Sequence, residues 1–137
     1  MEVTLSLDDV RGLATRTLLA LGASQANADA VADVITTAER DDCKSHGLFR
    51  LPGYCDALKS GRIDGKAEPA ITALAPAIVQ VGARNGFSPL ALQRGREPLA
   101  AKARSQGIAA MPIVNSYHFA ALWYEAEALA EDGLVAF

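Results

Sequence analysis

Apolar residues recur every three or four positions at Val10, Leu13, Ala14, Leu18 and Leu21, and again at Ala28, Val31, Val34, Ile35 and Ala38. That spacing gathers them on one face of a helix. Ser6 and Ser24 stand where helix caps are wanted and Gly22 supplies a stop, so residues 5–40 are predicted to form a helical hairpin with a very short turn. Its alanine-rich faces suit close packing, against another helix or a second subunit. Polarity then rises through Arg40-Asp41-Asp42, and the stretch up to Gly47 has no clean period. We expect a loop there. A third helix is predicted over residues 48–59 with Gly61 beyond it, Pro52 either lying in the first turn or delaying the start.

Beyond Asp64-Gly65-Lys66 and Pro69 the apolar runs shorten, and residues 71–74 and 78–81 read as strands. Asn85-Gly86 is a turn signal. Ser88-Pro89 offers a cap followed by proline at the first helical position of a segment that ends at Gly107, and Pro98 is predicted to kink or split that helix at Glu97. Residues 108–114 read as a buried strand, 119–131 as a helix and 134–137 as a further strand. This order favours parallel pairing and a right-handed crossover. The closing strand is apolar and has no polar tail, turn or cap after it, so we expect more polypeptide to follow, in the same chain or as a separate one. The pattern describes an α/β protein with a helical region over residues 1–65 and the first part of an α/β region over 66–137.

Composition narrows the partners. The 137 residues are half hydrophobic, enough for one domain that buries roughly two thirds of its unfolded surface. A formal charge of −3, with acids and bases intermixed, offers no basic stripe for nucleic acid. No apolar run approaches the roughly 20 residues that span a bilayer, and Met1-Glu2 leads straight into an acidic amphipathic segment, so a soluble cytoplasmic protein without a membrane partner is expected. Cys43 and Cys55 are too few for a disulfide framework and match no zinc spacing; they read as reduced thiols, Cys43 close enough to Ser45 and His46 to line a site.

The chain has two histidines, each in a short polar segment before a predicted helix. Histidine can exchange a proton near neutral pH without an extreme environment. Ser45, His46 and Arg50 share a helical face if the third helix already includes His46. Such a set can act on one ligand: arginine grips a carboxylate through two hydrogen bonds, an imidazolium gives up a proton, and the serine hydroxyl orients or relays it. That chemistry suits reduction of a 2-oxo or 2-imino acid. The same spacing also describes a plain helix start, with Ser45 as cap, His46 solvated and Arg50 in a surface ion pair. His118 follows Asn115-Ser116-Tyr117 at the carboxyl end of a predicted strand, where parallel sheets hold ligands, and the next helix offers free backbone donors. A half-buried histidine in a capping segment fits equally. There is no GxGxxG fingerprint, no GxxxxGK[ST] loop and no GxSxG elbow, and two histidines far apart give no metal site.

In order and spacing these segments resemble the type-2 malate/L-lactate dehydrogenase family. The resemblance is carried by the helical hairpin, Ser45-His46-Gly47 followed by Arg50-Leu51-Pro52, Leu58-Lys59-Ser60-Gly61, Asn85-Gly86-Phe87, Gly107-Ile108-Ala109 and Asn115-Ser116-Tyr117-His118-Phe119. It implies that family's own α/β fold rather than the ordinary Rossmann fold, left incomplete at roughly two fifths of a member's length. His118-Phe119-Ala120-Ala121-Leu122-Trp123 is most similar to the branch that reduces Δ1-piperideine-2-carboxylate and Δ1-pyrroline-2-carboxylate with NADPH. The resemblance therefore implies an oxidoreductase of cyclic imino acids, yielding L-pipecolate or L-proline. His46 would be the proton donor, Ser45 its relay partner and Arg50 the substrate-carboxylate clamp, with His118, Phe119, Ala120, Ala121 and Leu122 against the nicotinamide. In other branches the histidine matching His118 is the base, so the proton-transferring histidine stays open. NADH and an open 2-oxo acid of the malate or lactate type are the alternatives, as is a non-catalytic remnant serving assembly. A homodimer of the completed unit is implied too.

Overall fold

The computed structural model describes residues 3–137. Met1 and Glu2, expected to lead into the first helix, lie outside the described residues. Helices α1 (Leu7–Ala20) and α2 (Gln25–Arg40) form the expected hairpin. The Ser6 hydroxyl accepts from the Asp9 amide while the Asp9 carboxylate accepts from the Ser6 amide, so two donors that a helix start leaves free are satisfied reciprocally. Ser24 caps α2 through the Asn27 amide. Between them Gly22 takes a φ of 89°, open to glycine without a Cβ clash. Leu18, Val31 and Ile35 pack with Leu51, Ala57, Ile63 and Phe87, so the hairpin, the next helix and the end of the sheet share one core.

After α2 the chain makes two 3-10 turns, Lys44–His46 and Leu48–Arg50, and only then enters α3 (Leu51–Lys59). Pro52 sits in the first turn of α3, where its missing N–H breaks no bond. The predicted start at residue 48 is thus delayed, and His46 and Arg50 do not share a helical face. Gly47 separates them: its ψ of −141° takes the backbone off the helical path.

Strand β1 (Ala70–Ala75) pairs antiparallel with β2 (Ile78–Phe87), and β2 pairs parallel with β3 (Ile113–Tyr117), in the order β1-β2-β3. Helix α4 (Ser88–Gln106) joins β2 to β3. The parallel unit therefore falls one step earlier than the sequence suggests. Asn85-Gly86 is not a turn between elements but the interior of β2. Arg84 and Asn85, with φ of 53° and 61°, take up an irregularity where the register with β3 shifts between Gly82 and Gly86. Nor does Pro98 split α4, which runs unbroken to Gly107. Ala91, Leu92 and Gly95 before the proline and Ala100 after it are all buried, so packing holds both halves on one axis.

The strand predicted over residues 108–114 begins instead at Ile113 and is half-exposed. Pro112 has no N–H to give a ladder, although its carbonyl and that of Ala110 accept from Val81 and Val79. Helix α5 (Leu122–Glu131) starts three residues later than predicted. Residues 134–137 form no strand; Val135 and Phe137 are fully exposed, and no strand lies beside them among the described residues.

Candidate functional site

The His46 segment is held from outside itself. Glu39, in the last turn of α2, accepts the Leu48 amide on its carboxylate at 2.7 Å. A methyl group on Gly47 would overlap that carboxylate, so this position needs glycine for close approach rather than for a positive φ. On this support the Ser45 hydroxyl lies 3.0 Å from His46 Nδ1 and the Cys43 thiol 3.6 Å from the same nitrogen. Nδ1 is thus engaged while Nε2 has no hydrogen-bond partner among the described residues. A ring held on one nitrogen and open on the other is suited to passing a proton at the open one. The Arg50 guanidinium has neither hydrogen bond nor ion pair among the described residues, and Phe49 next to it is 77% exposed. An unengaged guanidinium retains its full capacity for a carboxylate.

The second segment follows β3. Asn115 and His118 adopt φ of 55° and 46°, a region that non-glycine residues enter at a cost and that concentrates at ligand sites. His118 is pinned twice. Its carbonyl accepts from the buried Ser88 hydroxyl, and its Nδ1 donates to the Phe119 carbonyl. Because a carbonyl can only accept, Nδ1 carries the hydrogen and Nε2 keeps its lone pair in the neutral ring. Ser88 is therefore not the helix cap its position suggests; α4 starts at Ser88, and the hydroxyl turns to the neighbouring loop.

Ser88, Met111, Ile113, Ser116, His118, Phe119 and Glu125 line an open cavity of about 360 Å³. Burial pushes the Glu125 carboxyl above its ordinary pKa. Of the five residues expected against a nicotinamide, His118, Phe119 and Leu122 are exposed, whereas the side chains of Ala120 and Ala121 are buried and only their backbone could touch a ligand. The exposed Phe119 and Leu122, with the uncapped first turn of α5, provide one apolar and polar wall of the kind a nicotinamide ring and carboxamide fit.

One residue outside the expected site set joins the two segments. Trp123 stands perpendicular to His46, ring centroids 5.9 Å apart, and its indole Nε1 donates to Asp41 at 3.0 Å. Arg40, and after it Trp123, hold the Asp41 carboxyl below its usual pKa. Arg40 in turn reaches Glu127 on α5. The signal for Glu39, Asp41 and Trp123 in the sequence was only their nearness to the two histidine segments. No group of three or more histidine, cysteine, aspartate or glutamate side chains suited to a metal occurs among the described residues. Both cysteines are free.

A helical hairpin feeding a serine-histidine turn, a mixed sheet without a phosphate-binding glycine loop, and a strained histidine loop at the end of a parallel strand occur together here. The chain belongs to the malate/L-lactate dehydrogenase family, which it matches over residues 5–137. It is 49% identical over 133 residues to the Δ1-pyrroline-2-carboxylate reductase of Pseudomonas fluorescens, covering 97% of this chain and 40% of that protein. It is 48% identical to the Δ1-pyrroline-2-carboxylate/Δ1-piperideine-2-carboxylate reductase of Pseudomonas aeruginosa, with 98% and 40% covered. The crystal structure of Δ1-piperideine-2-carboxylate reductase from Pseudomonas syringae superposes with a TM-score of 0.91 at 43% identity, covering 96% of this chain and 40% of that one. The malate dehydrogenase of Pyrococcus horikoshii follows the same fold at 0.87 and 26% identity. The chain spans about two fifths of the length of these relatives.

Proposed function

We propose that this chain forms the substrate-facing part of an NADPH-dependent reductase of cyclic imino acids, converting Δ1-piperideine-2-carboxylate or Δ1-pyrroline-2-carboxylate to L-pipecolate or L-proline. The observation that carries the proposal is the His46 arrangement: Nδ1 engaged by Ser45 and Cys43, Nε2 free, and an unengaged arginine four residues on. The names of the relatives support the substrate class. A reduced nicotinamide, held against His118, Phe119 and Leu122, would when bound supply the hydride for the imine carbon.

This chain's own residues do the rest. Arg50 clamps the substrate carboxylate through paired N–H donors. His46, as imidazolium, gives its Nε2 proton to the imine nitrogen, and Ser45 steadies Nδ1 through the change of charge. His118, Phe119 and Leu122, with the backbone of Ala120 and Ala121, form the wall against the nicotinamide. In the proposed organisation residues 1–65 present the acid and clamp, and residues 66–137 begin the cofactor-binding region. A further polypeptide supplies the opposite wall, and the completed unit works as a homodimer. No helix among the described residues is long and apolar enough to cross a membrane. We place the reaction in the cytoplasm, in keeping with two free thiols.

The test is oxidation of NADPH by the chain with whatever polypeptide co-purifies with it, on piperideine-2-carboxylate and on pyruvate, with NADH as the comparison cofactor. His46→Ala should lower turnover of the imino acid by about 100-fold or more, the usual worth of a positioned acid. Normal turnover in that variant, or a preference for pyruvate, overturns the assignment.

A further inference from the structure

We infer that Trp123 is a positioning residue for His46: anchored by Asp41, its indole holds the imidazole from the side of α5. The orientation of the proton-donating ring is then set by α5 as well as by its own segment. Three observations carry this. The His46 and Trp123 rings meet at 82° and 5.9 Å, within the range where perpendicular aromatic pairs attract. The indole is fixed at its far end, because Nε1 donates to Asp41, which Arg40 also grips at 2.7 Å. Arg40 also reaches Glu127 one turn along α5, so the helix carrying Trp123 is tied to the end of α2 at a second point. On its own segment the His46 ring has Ser45 and Cys43 as hydrogen-bond partners, both at Nδ1, and bonds at one nitrogen leave a ring free to swing about that edge. The perpendicular indole removes that freedom.

The inference rests on the proposed role of His46 for its functional meaning, but the contact can be read without turnover. Trp123 is the chain's single tryptophan, so intrinsic tryptophan fluorescence reports on this one ring. The ionisable groups on the elements around His46 and Trp123 are Glu39, Arg40 and Asp41 at the end of α2, Asp42, Cys43, Lys44 and Arg50 on the His46 segment, and Tyr124, Glu125 and Glu127 on α5, where burial raises the pKa of the Glu125 carboxyl; the His46→Gln variant and the His46 ring protons separate His46 from all of these. Fluorescence of the chain as purified should fall on acidification as the His46 ring gains its second proton, since an imidazolium in contact quenches an indole. The midpoint should match that of the His46 ring protons followed by NMR. His46→Gln should flatten the titration and His118→Gln should leave it.

Two further variants separate positioning from mere proximity. Asp41→Ala keeps the fluorophore and removes its anchor, and most of the quenching amplitude should go. Trp123→Leu should shift the His46 ring protons by removing the ring current, with those of His118 unmoved and far-ultraviolet circular dichroism unchanged; Trp123→Phe should restore part of the shift. A flat fluorescence titration in the folded chain, or one that survives in His46→Gln, overturns the inference. Failure of the reductase reading leaves this titration untouched, so the two fail separately.

Discussion

A carboxylate that reaches past a glycine can hold a turn only while nothing larger occupies that position. Glu39 accepts the Leu48 amide across the face of Gly47, and that bond fixes the second of the two short turns that carry Ser45, His46 and Arg50. Gly47→Ala should drive the carboxylate away and cost about 1–3 kcal/mol, the worth of a charge-assisted bond and its stranded donor. A lower urea midpoint with unchanged slope is the expected result. Turnover should fall by more than the stability loss explains, because the His46 segment moves with its support. At this scale the sequence was partly readable. Ser45 and His46 declare themselves by residue type, but Glu39 is nine residues from its partner and Trp123 lies 82 residues from Asp41. Neither separation leaves a periodic trace.

Elements whose ends are set by local chemistry lay where the sequence put them, and those set by distant packing did not. The serine caps of α1 and α2 and the left-handed Gly107 at the end of α4 are decided within a turn of chain. By contrast, Asn85-Gly86 has every mark of a hairpin turn, yet β3 lies alongside and draws it into the strand. Pro98 would break an isolated helix, yet buried residues on either side hold α4 together. Helix α5 carries a testable consequence of its own placement. Burial raises the pKa of Glu125, so the folded chain binds that proton more tightly than the unfolded one, and the free energy of folding worsens as the pH rises through the folded value. Glu125→Gln should therefore raise the Tm of the isolated chain at pH 7. The gain should shrink towards about pH 4, the ordinary glutamate range. A constant gain across that span would show that Glu125 stays charged in the fold.

For the whole molecule, the sheet has an edge on each side: β1 pairs antiparallel with β2 and β3 pairs parallel with it, and neither has a second strand beside it among the described residues. Phe119, Leu122, Val135 and Phe137 are exposed along the same part of the chain. The apolar residues Val135 and Phe137 were legible in the sequence, but not that residues 134–137 hold no strand pairing. Hydrogen exchange tests the completion that the proposed function requires. Amides of β3 directed away from β2 should exchange rapidly in the isolated chain and slow by several orders of magnitude with the completing polypeptide, while β2 stays protected in both. Equal protection in both states would mean that this edge is not where the molecule is completed.

Three successive residues at the end of α2 each hold a different neighbour: Glu39 the turn after His46, Arg40 the acidic side of α5, and Asp41 the indole beside the imidazole. One helix end thus works as a common hub. Any tilt of it carries the His46 turn and α5 together, so the gap between them is gauged by a rigid rod instead of by two independent loops.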